Sequence, residues 1–225
     1  MPLPQKATTG SGSATPVGSG EHEVQPGECV ISIADAAGHF WETVWKHPSN
    51  SEVREVRGSP HVLLAGDRLH VPPIEPKDED GATEKHHTFR RKGIPITFEV
   101  VVKENGKPLA GLRYVIVIEG RSTSGTVPND GKIQVSMFPS DKSGELRIGD
   151  GTSLRVYPLD IGGLDPVHTR SGAEARLANL GLIGDGADDE TFANSVKKFQ
   201  RDNGLDPTGE LNNDTATKLA EIHGS

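Results

Sequence analysis

Two stretches that cannot join a hydrophobic core divide the chain into short segments. Residues 1–20 consist mostly of Gly, Pro, Ser and Thr, and residues 75–87 form a charged run with almost no apolar side chains. Neither stretch can bury enough apolar surface to offset the entropy that is lost on ordering. We therefore expect a disordered arm at 1–20 and a linker at 75–87.

Three small modules are predicted from the rest of the chain, at 21–74, 88–160 and 161–225. The last boundary falls where strand-like alternation gives way to helical spacing. The expected fold class is modular α+β: a βααβ module, a small antiparallel β-sandwich and a three-helix bundle.

Composition excludes several kinds of partner and structure. The net charge is −8 at pH 7, so the chain lacks the excess of Lys and Arg that binds phosphate backbones, and we expect no nucleic-acid partner. No run approaches the roughly 18 consecutive apolar residues of a membrane-spanning helix, so we expect no membrane insertion. Cys29 is the only cysteine, which excludes an internal disulfide.

The first ten residues contain one Lys and no apolar stretch, so no secretory signal peptide is predicted. We expect the chain to be made and retained in the cytoplasm. Action at the periplasm or cell wall would then require delivery by a secretion or phage-like device.

The first module shows two helical patterns between two strands. Its first strand is expected at the start of the module, before the Pro-Gly turn at residues 26–27. Trp41 and Trp45 lie one helical turn apart in a second short helix, where core packing is the expected role of both rings, and Pro48 stops that helix. A last strand is expected around Leu69. The first helix is predicted from apolar residues spaced i, i+3, i+4 and i+7, which are Val30, Ile33, Ala34 and Ala37.

Residues 24–34 and 64–72 resemble the two ends of a lysin-motif (LysM) domain, in the right order. The resemblance implies a βααβ fold with a shallow groove for glycans that contain N-acetylglucosamine, such as peptidoglycan or chitin. In the first loop this chain has Glu28-Cys29 where the family has Asp followed by Ser or Thr, and residues 47–62 are expected to form a long connection. The implied glycan-binding residues are Gly27, Glu28, Cys29, Val30, Asn50, Leu63 and Leu64.

The middle module alternates short β-branched runs with turn signals, as in a small antiparallel sandwich. Strands are predicted at 94–102, 114–118 and 133–137. Turns are predicted at 104–108, 128–131 and 142–145. Residues 106–114 loosely resemble the prealbumin-like or immunoglobulin-like modules of bacterial surface and injection-system proteins, which implies a spacer or docking role.

Three short helices are predicted in the last module. Ser171 and Glu174 have the spacing of a capping box, which predicts a helix over 172–180. An apolar repeat predicts a second helix over 189–203. A third helix begins after an Asn/Asp cluster and is expected to bury Ala216, Leu219 and Ile222.

Residues 192–211 are similar to the three-helix peptidoglycan-binding domain that is often appended to wall hydrolases. The residues that carry the similarity include Phe199-Gln200, Gly204-Leu205 and Thr208-Gly209. The family's apolar turn is replaced here by the acidic loop 184–189. The resemblance implies glycan contacts at Asp185, Gly186 and Thr208.

The sequence contains no motif for catalysis. It has no G-x-S-x-G, no H-E-x-x-H and no pair of cysteines, so we expect neither an enzyme nor a cofactor. One group of metal-competent side chains falls in the expected linker, for which we predict no metal site. The group consists of Asp78, Asp80, Glu84, His86 and His87.

The leading hypothesis is a monomeric, non-catalytic protein that binds peptidoglycan through two weak modules, one at either end of a β-sandwich. Two sites on one polymer would gain avidity through their effective concentration. The alternative is a structural or adaptor component of a contractile injection system, of the type VI secretion or phage-tail-like kind, that docks spike, baseplate or effector proteins. A third reading is an accessory subunit that delivers a separate hydrolase.

Overall fold

The chain divides into two compact units, which are described separately here. One comprises Met1–Pro72 together with Gly162–Ser225, and the other comprises Pro73–Ile161. Within the part of the chain that is described, no helix is both long and apolar enough to cross a membrane. The computed structural model describes residues 14–75, 80–81, 83–86, 96–184 and 186–224.

The first module has two short antiparallel strands and three helices. Strands β1 and β2 pair so that His22 lies opposite Leu69. A single turn of 3₁₀-helix at Pro48–Asn50 precedes α3. The elements in chain order are β1 (His22–Glu23), α1 (Val30–Ala36), α2 (Trp41–Trp45), α3 (Ser51–Arg57) and β2 (Arg68–Leu69).

Helices α1 and α2 form where the sequence predicts them. The N–H of Cys29 donates to Ser32 Oγ at 3.0 Å at the start of α1. Val30, Ile33 and Ala34 are buried on its inner face. Trp45 is buried in the same core, with Trp41 packed against it.

Helix α3 corrects the expectation of a long connection at 47–62. Its inner face carries one fully buried apolar side chain, Val53, so the segment has no apolar periodicity. Pro48, expected only to stop α2, occupies the first turn of the 3₁₀-helix, where its missing N–H costs nothing.

A buried ion pair joins α3 to the turn before β2. Arg57 donates through two nitrogens to the carboxylate of Asp67 at 2.6 and 2.7 Å, and both side chains have zero exposure. Asp67 also accepts from the N–H groups of Val17 and Leu64. Arg57 donates further to the carbonyl oxygen of Thr15. The pair therefore fixes the N-terminal segment as well as the turn.

Residues 15–20 lie against β2, which differs from the expectation of a disordered arm over 1–20. The N–H of Arg68 donates to the carbonyl oxygen of Val17 at 2.9 Å, and Val17 packs on the core. The approach is close, because a Cβ at Gly20 would lie 1.9 Å from the carbonyl carbon of Leu69. Residues 1–13 of the expected arm lie outside the described residues.

The described residues of the second unit form eight strands, which pair antiparallel. Four form a sheet in the order β10-β9-β6-β7, β3 pairs with β8, and β4 pairs with β5. The strands are β3 (Ile96–Val101), β4 (Lys103–Glu104), β5 (Lys107–Pro108), β6 (Arg113–Ile118), β7 (Arg121–Thr126), β8 (Lys132–Met137), β9 (Ser143–Ile148) and β10 (Arg155–Asp160).

One core joins the four-stranded sheet to the β3-β8 pair. Ile116 and Leu146 come from the larger sheet, and Ile133 and Val135 come from β8. Alternate residues of these strands are buried, as the β-branched alternation predicts. The prediction of a turn at 142–145 is wrong, because β9 already begins at Ser143 and the turn lies at 139–140.

The last module is a three-helix bundle, as predicted. Its helices are α4 (Arg170–Asn179), α5 (Asp189–Asp202) and α6 (Asn213–His223). The first helix begins two residues earlier than expected, because Thr169 accepts from the N–H of Gly172 and serves as the N-cap. Ser171 donates instead to Asp165. Ile222 is 39% exposed, so its predicted burial is wrong.

The ion pair gives the first test of this structure. Asp67→Asn removes the carboxylate charge that Arg57 contacts while the guanidinium stays buried, so we expect the first module to lose about 3–5 kcal/mol of unfolding free energy. Both tryptophans of the chain lie in this module, so Trp fluorescence during urea titration reports on it alone.

The matched control is Glu23→Gln, which removes the exposed partner of Arg68, 3.4 Å away. An exposed pair contributes about 1 kcal/mol or less. Equal losses in the two variants would contradict the structural role of the buried pair.

Candidate functional site

The helical bundle buries a small apolar core that positions two surface loops. Phe192, Val196 and Phe199 point inward from α5 onto Leu177 of α4 and Leu219 of α6. One loop, 184–188, precedes α5, and the other, 203–212, connects α5 to α6. The predicted glycan-binding residues of this module lie in these two loops.

Gln200 holds the second loop from the inside. Its side chain has no exposure, and its Oε1 accepts from the N–H of Gly209 at 2.9 Å. Its Nε2 lies 2.9–3.1 Å from acceptors on Thr208, Glu210 and Thr215. Thr208 is itself exposed. The amide of Gln200 therefore fixes the loop around Thr208, an exposed residue whose hydroxyl oxygen accepts from Gln200 and from the N–H of Glu210.

A polar clamp holds the loop before α5. Glu174 accepts from the N–H of Ala187 at 3.1 Å, and Arg170 donates to the carbonyl oxygen of Ala187 at 3.0 Å. The guanidinium of Arg170 also stacks 3.8 Å from the ring centre of Phe192. Gly186 is exposed with φ +68°, a left-handed conformation that favours glycine. Asp185 lies outside the described residues.

Arg176 is a buried cation beneath the first turn of α4. It is 1% exposed and donates to the carbonyl oxygens of Asp165 and Gly172. Burial lowers the pKa of Arg176 to about 10, although Asp165 favours the charged form. The side chain therefore remains charged at neutral pH.

His223 lies at the end of α6 and has a lowered pKa. Burial is the main cause that lowers the pKa of His223, and the charge of Arg176 adds to it. Asn179 Nδ2 donates to His223 Nε2 at 3.0 Å, a bond that requires an unprotonated ring nitrogen. The pKa of His168 is lowered as well, by burial first and then by Arg176 and Arg57.

Three of the residues predicted in the first module stand in one half-exposed loop. Gly27 has φ +78° with open space beside it. Glu28 Oε2 accepts from His22 Nε2 and from the N–H of Gln25, each at 2.9 Å. Cys29 is half-buried and free of any disulfide.

The other four predicted residues lie mainly in the core. Val30 and Leu63 are buried apolar side chains. Asn50 is fully buried and bonds to the backbone of Val44 and to both backbone groups of His70. Only Leu64 remains half-exposed among them, so these positions present little side-chain surface to a glycan.

A separate groove of about 430 Å³ in the first module lies mostly on residues that the sequence analysis missed. It is lined by Ile33 of α1, by Ala37 just after α1, by Val71, and by the polar side chains of His22 and Glu28. Glu28 is the only predicted residue that lines it. The groove depends on contacts between α1 and the strands, which helical spacing alone does not reveal.

Comparison with known protein families identifies a domain within the third module. The family model of the peptidoglycan-binding domain matches residues 171–219. The match confirms the predicted peptidoglycan-binding domain in this segment, which is less than a quarter of the chain. No curated protein and no solved structure matches the chain. The lysin-motif resemblance of the first module stays a prediction.

No group of three or more His, Cys, Asp or Glu side chains in the described part of the chain is placed to hold a metal ion. Asp78 and His87, two of the metal-competent residues noted in the sequence, lie outside that part.

Loss of the Gln200 amide should loosen the domain. Gln200→Leu leaves the buried N–H of Gly209 without its acceptor, so we expect a loss of roughly 3 kcal/mol in the free energy of opening. Hydrogen exchange of residues 204–211 measures this loss directly. Gln134→Leu is the control, because Gln134 is exposed and its side chain bonds only to Glu99. Unchanged protection of 204–211 in Gln200→Leu would contradict the network.

The bundle should lose stability at acidic pH. A histidine whose pKa is lowered by folding binds its proton more tightly when unfolded, so stability falls as the pH drops below about 6.5. We expect faster hydrogen exchange across 170–223 at pH 5 than at pH 7.5, after correction for the intrinsic rate. His223→Gln removes one of the two titrating groups and should reduce this difference. An unchanged difference in that variant would contradict the assignment to His223.

Proposed function

We propose that this protein binds peptidoglycan without chemically altering it and thereby targets the cell wall. The observation that carries the proposal is the domain at 171–219, in which hydrogen bonds from the helices hold Ala187 and Gly209 in the two loops. A loop that is ordered before binding loses less conformational entropy on binding. The contacts are assigned to Thr208 in one loop and to Asp185 and Gly186 in the other.

The first module adds a second glycan contact in this proposal, for a ligand that contains N-acetylglucosamine. The N–H of Val30 donates to the carbonyl oxygen of Pro60 at 3.0 Å, so the loops on either side of a lysin-motif-like groove meet. The accessible residues there are Gly27, Glu28 and Leu64. Two weak sites on one chain raise the affinity for a repeating polymer without any new contact.

The absence of a catalytic step is part of the proposal. An acid catalyst of glycoside hydrolysis needs a carboxyl group whose pKa is raised. Among the described residues, each carboxylate with a displaced pKa has it lowered, and hydrogen bonds are the main cause in every case. These residues are Glu21, Glu99, Glu119 and Asp188.

The test measures the fraction of protein that pellets with purified peptidoglycan sacculi. Thr208→Glu places a charge in the proposed contact, and we expect it to lower the apparent affinity at least tenfold. Thr217→Glu is the matched control, because it makes the same exchange at an exposed position of α6 that lies in neither loop. Hydrogen exchange across α5 confirms that both variants stay folded.

The contribution of the first module is tested in the same assay. Leu64→Glu should weaken pelleting, and soluble N-acetylglucosamine oligomers should compete with sacculi for the unmodified chain. Leu112→Glu, an exchange at an exposed leucine of the β-rich unit, should leave pelleting unchanged. If the unmodified protein does not pellet, the proposal fails and the modules are better explained as docking units of an injection apparatus.

A further inference from the structure

The two edges of the four-stranded sheet differ in how they are protected. The edge strand β10 carries Pro158, which has no N–H to offer, between the charged residues Arg155 and Asp160. Proline and charge are the usual devices that keep an edge from pairing with another chain. The opposite edge strand, β7, has one charge, Arg121 at its first position, followed by Ser122-Thr-Ser-Gly-Thr126.

The pairing of β7 with β6 determines which residues of β7 direct their N–H and C=O groups away from the sheet. The N–H of Val127 donates to the carbonyl oxygen of Leu112 at 2.8 Å, which sets the alternation along this pair. Residues 121, 123 and 125 then bond to β6. Ser122, Ser124 and Thr126 direct their N–H and C=O groups away from the sheet.

Strand β7 is also open on the face that the other strands bury. Arg121 and Thr123 lie opposite Ile118 and Ile116, whose side chains are buried in the core. Arg121 and Thr123 are nevertheless exposed, as is every residue of β7 except the half-buried Gly125. As far as the described residues show, the exposure of β7 leaves room for an added strand along this edge.

The geometry points to self-association through this edge: β7 pairs antiparallel with β7 of a second copy of the chain. The register places Ser124 opposite Ser124 and Ser122 opposite Thr126. This register pairs all three outward residues of both strands. A shift toward the C-terminal end would instead bring in Pro128, which cannot donate a hydrogen bond.

Side chains support this register. The facing pairs are Ser with Ser and Ser with Thr, which are small and can exchange hydroxyl hydrogen bonds. The two copies of Arg121 fall at opposite ends of the paired strands, so like charges do not face each other. The resulting assembly is isologous, and its two-fold axis passes through Ser124.

The assembly goes beyond the proposed glycan binding and differs from the monomer that the sequence analysis expects. Its residues belong to the unit Pro73–Ile161, whereas the proposed glycan contacts belong to the other unit. Failure of one proposal therefore leaves the other standing.

A cross-linking experiment on the full chain tests the register. Ser124→Cys is made together with Cys29→Ser, which removes the only native thiol. Hydrogen-bonded residues of antiparallel strands have Cα atoms about 5.5 Å apart, within the range that a disulfide spans. We expect oxidation or a short bis-maleimide to convert Ser124→Cys to a covalent dimer.

Ser122→Cys is the matched control, since it has the same residue change, strand and face. In the proposed register the two copies of residue 122 are four residues apart, or about 14 Å, so they should not cross-link. A mixture of Ser122→Cys and Thr126→Cys chains should cross-link to each other. Equal cross-linking of the two serine variants, or none at position 124, overturns the register.

Light scattering over a concentration series tests the association itself. We expect the unmodified chain to shift from monomer toward dimer as its concentration rises. Ser124→Pro should remain monomeric, because β7 then loses an outward N–H while residues 121, 123 and 125 keep their bonds to β6. Ser124→Pro should still pellet with sacculi as a monomer. A dimer that survives in Ser124→Pro, or an unmodified chain that stays monomeric throughout, overturns the proposal.

Discussion

The ion pair between Arg57 and Asp67 is the interaction on which the first module depends. Two short strands and three short helices provide few backbone bonds between elements, so a buried guanidinium and carboxylate connect α3, the turn before β2 and the N-terminal segment. Both side chains are fully buried, and the carboxylate of Asp67 accepts hydrogen bonds from Arg57 and from the N–H groups of Val17 and Leu64. Gln200 has the corresponding role in the helical bundle with a neutral amide, which bonds to one backbone N–H, one backbone carbonyl oxygen and two hydroxyl oxygens.

Periodicity was enough to predict the elements with a continuous apolar face. Helix α5 has an inward residue at nearly every turn and was predicted to within one residue of its observed end. Helix α3 was missed because it buries a single apolar residue, Val53, and is held by tertiary contacts instead. The ordered segment 15–20 was missed for a related reason. Its glycines permit a close backbone approach to β2, whereas a Gly-rich composition on its own predicts disorder.

The candidate site was predictable only in part. Resemblance located the loop around Thr208, but the residue that holds this loop, Gln200, finds its partners 8 to 15 positions further along the chain. Such contacts have no signature in local spacing. In the first module, the side chains of Val30, Asn50 and Leu63, which the resemblance assigns to a glycan groove, are buried. Sequence resemblance identifies the segment that folds in a given way, and packing decides which of its side chains reach the solvent.

The placement of the β-rich unit between the two halves of the other unit has a consequence for biosynthesis. Gly162–Ser225 emerges from the ribosome only after Pro73–Ile161 has been made, so the two segments of the first unit can associate only after the β-rich unit has been synthesised. Closing so long a loop is entropically unfavourable while the intervening chain is unfolded, and the penalty falls once that chain is compact. We therefore expect the β-rich unit to fold before the two segments of the other unit associate. A folding defect in the β-rich unit would then also delay the assembly of the other unit.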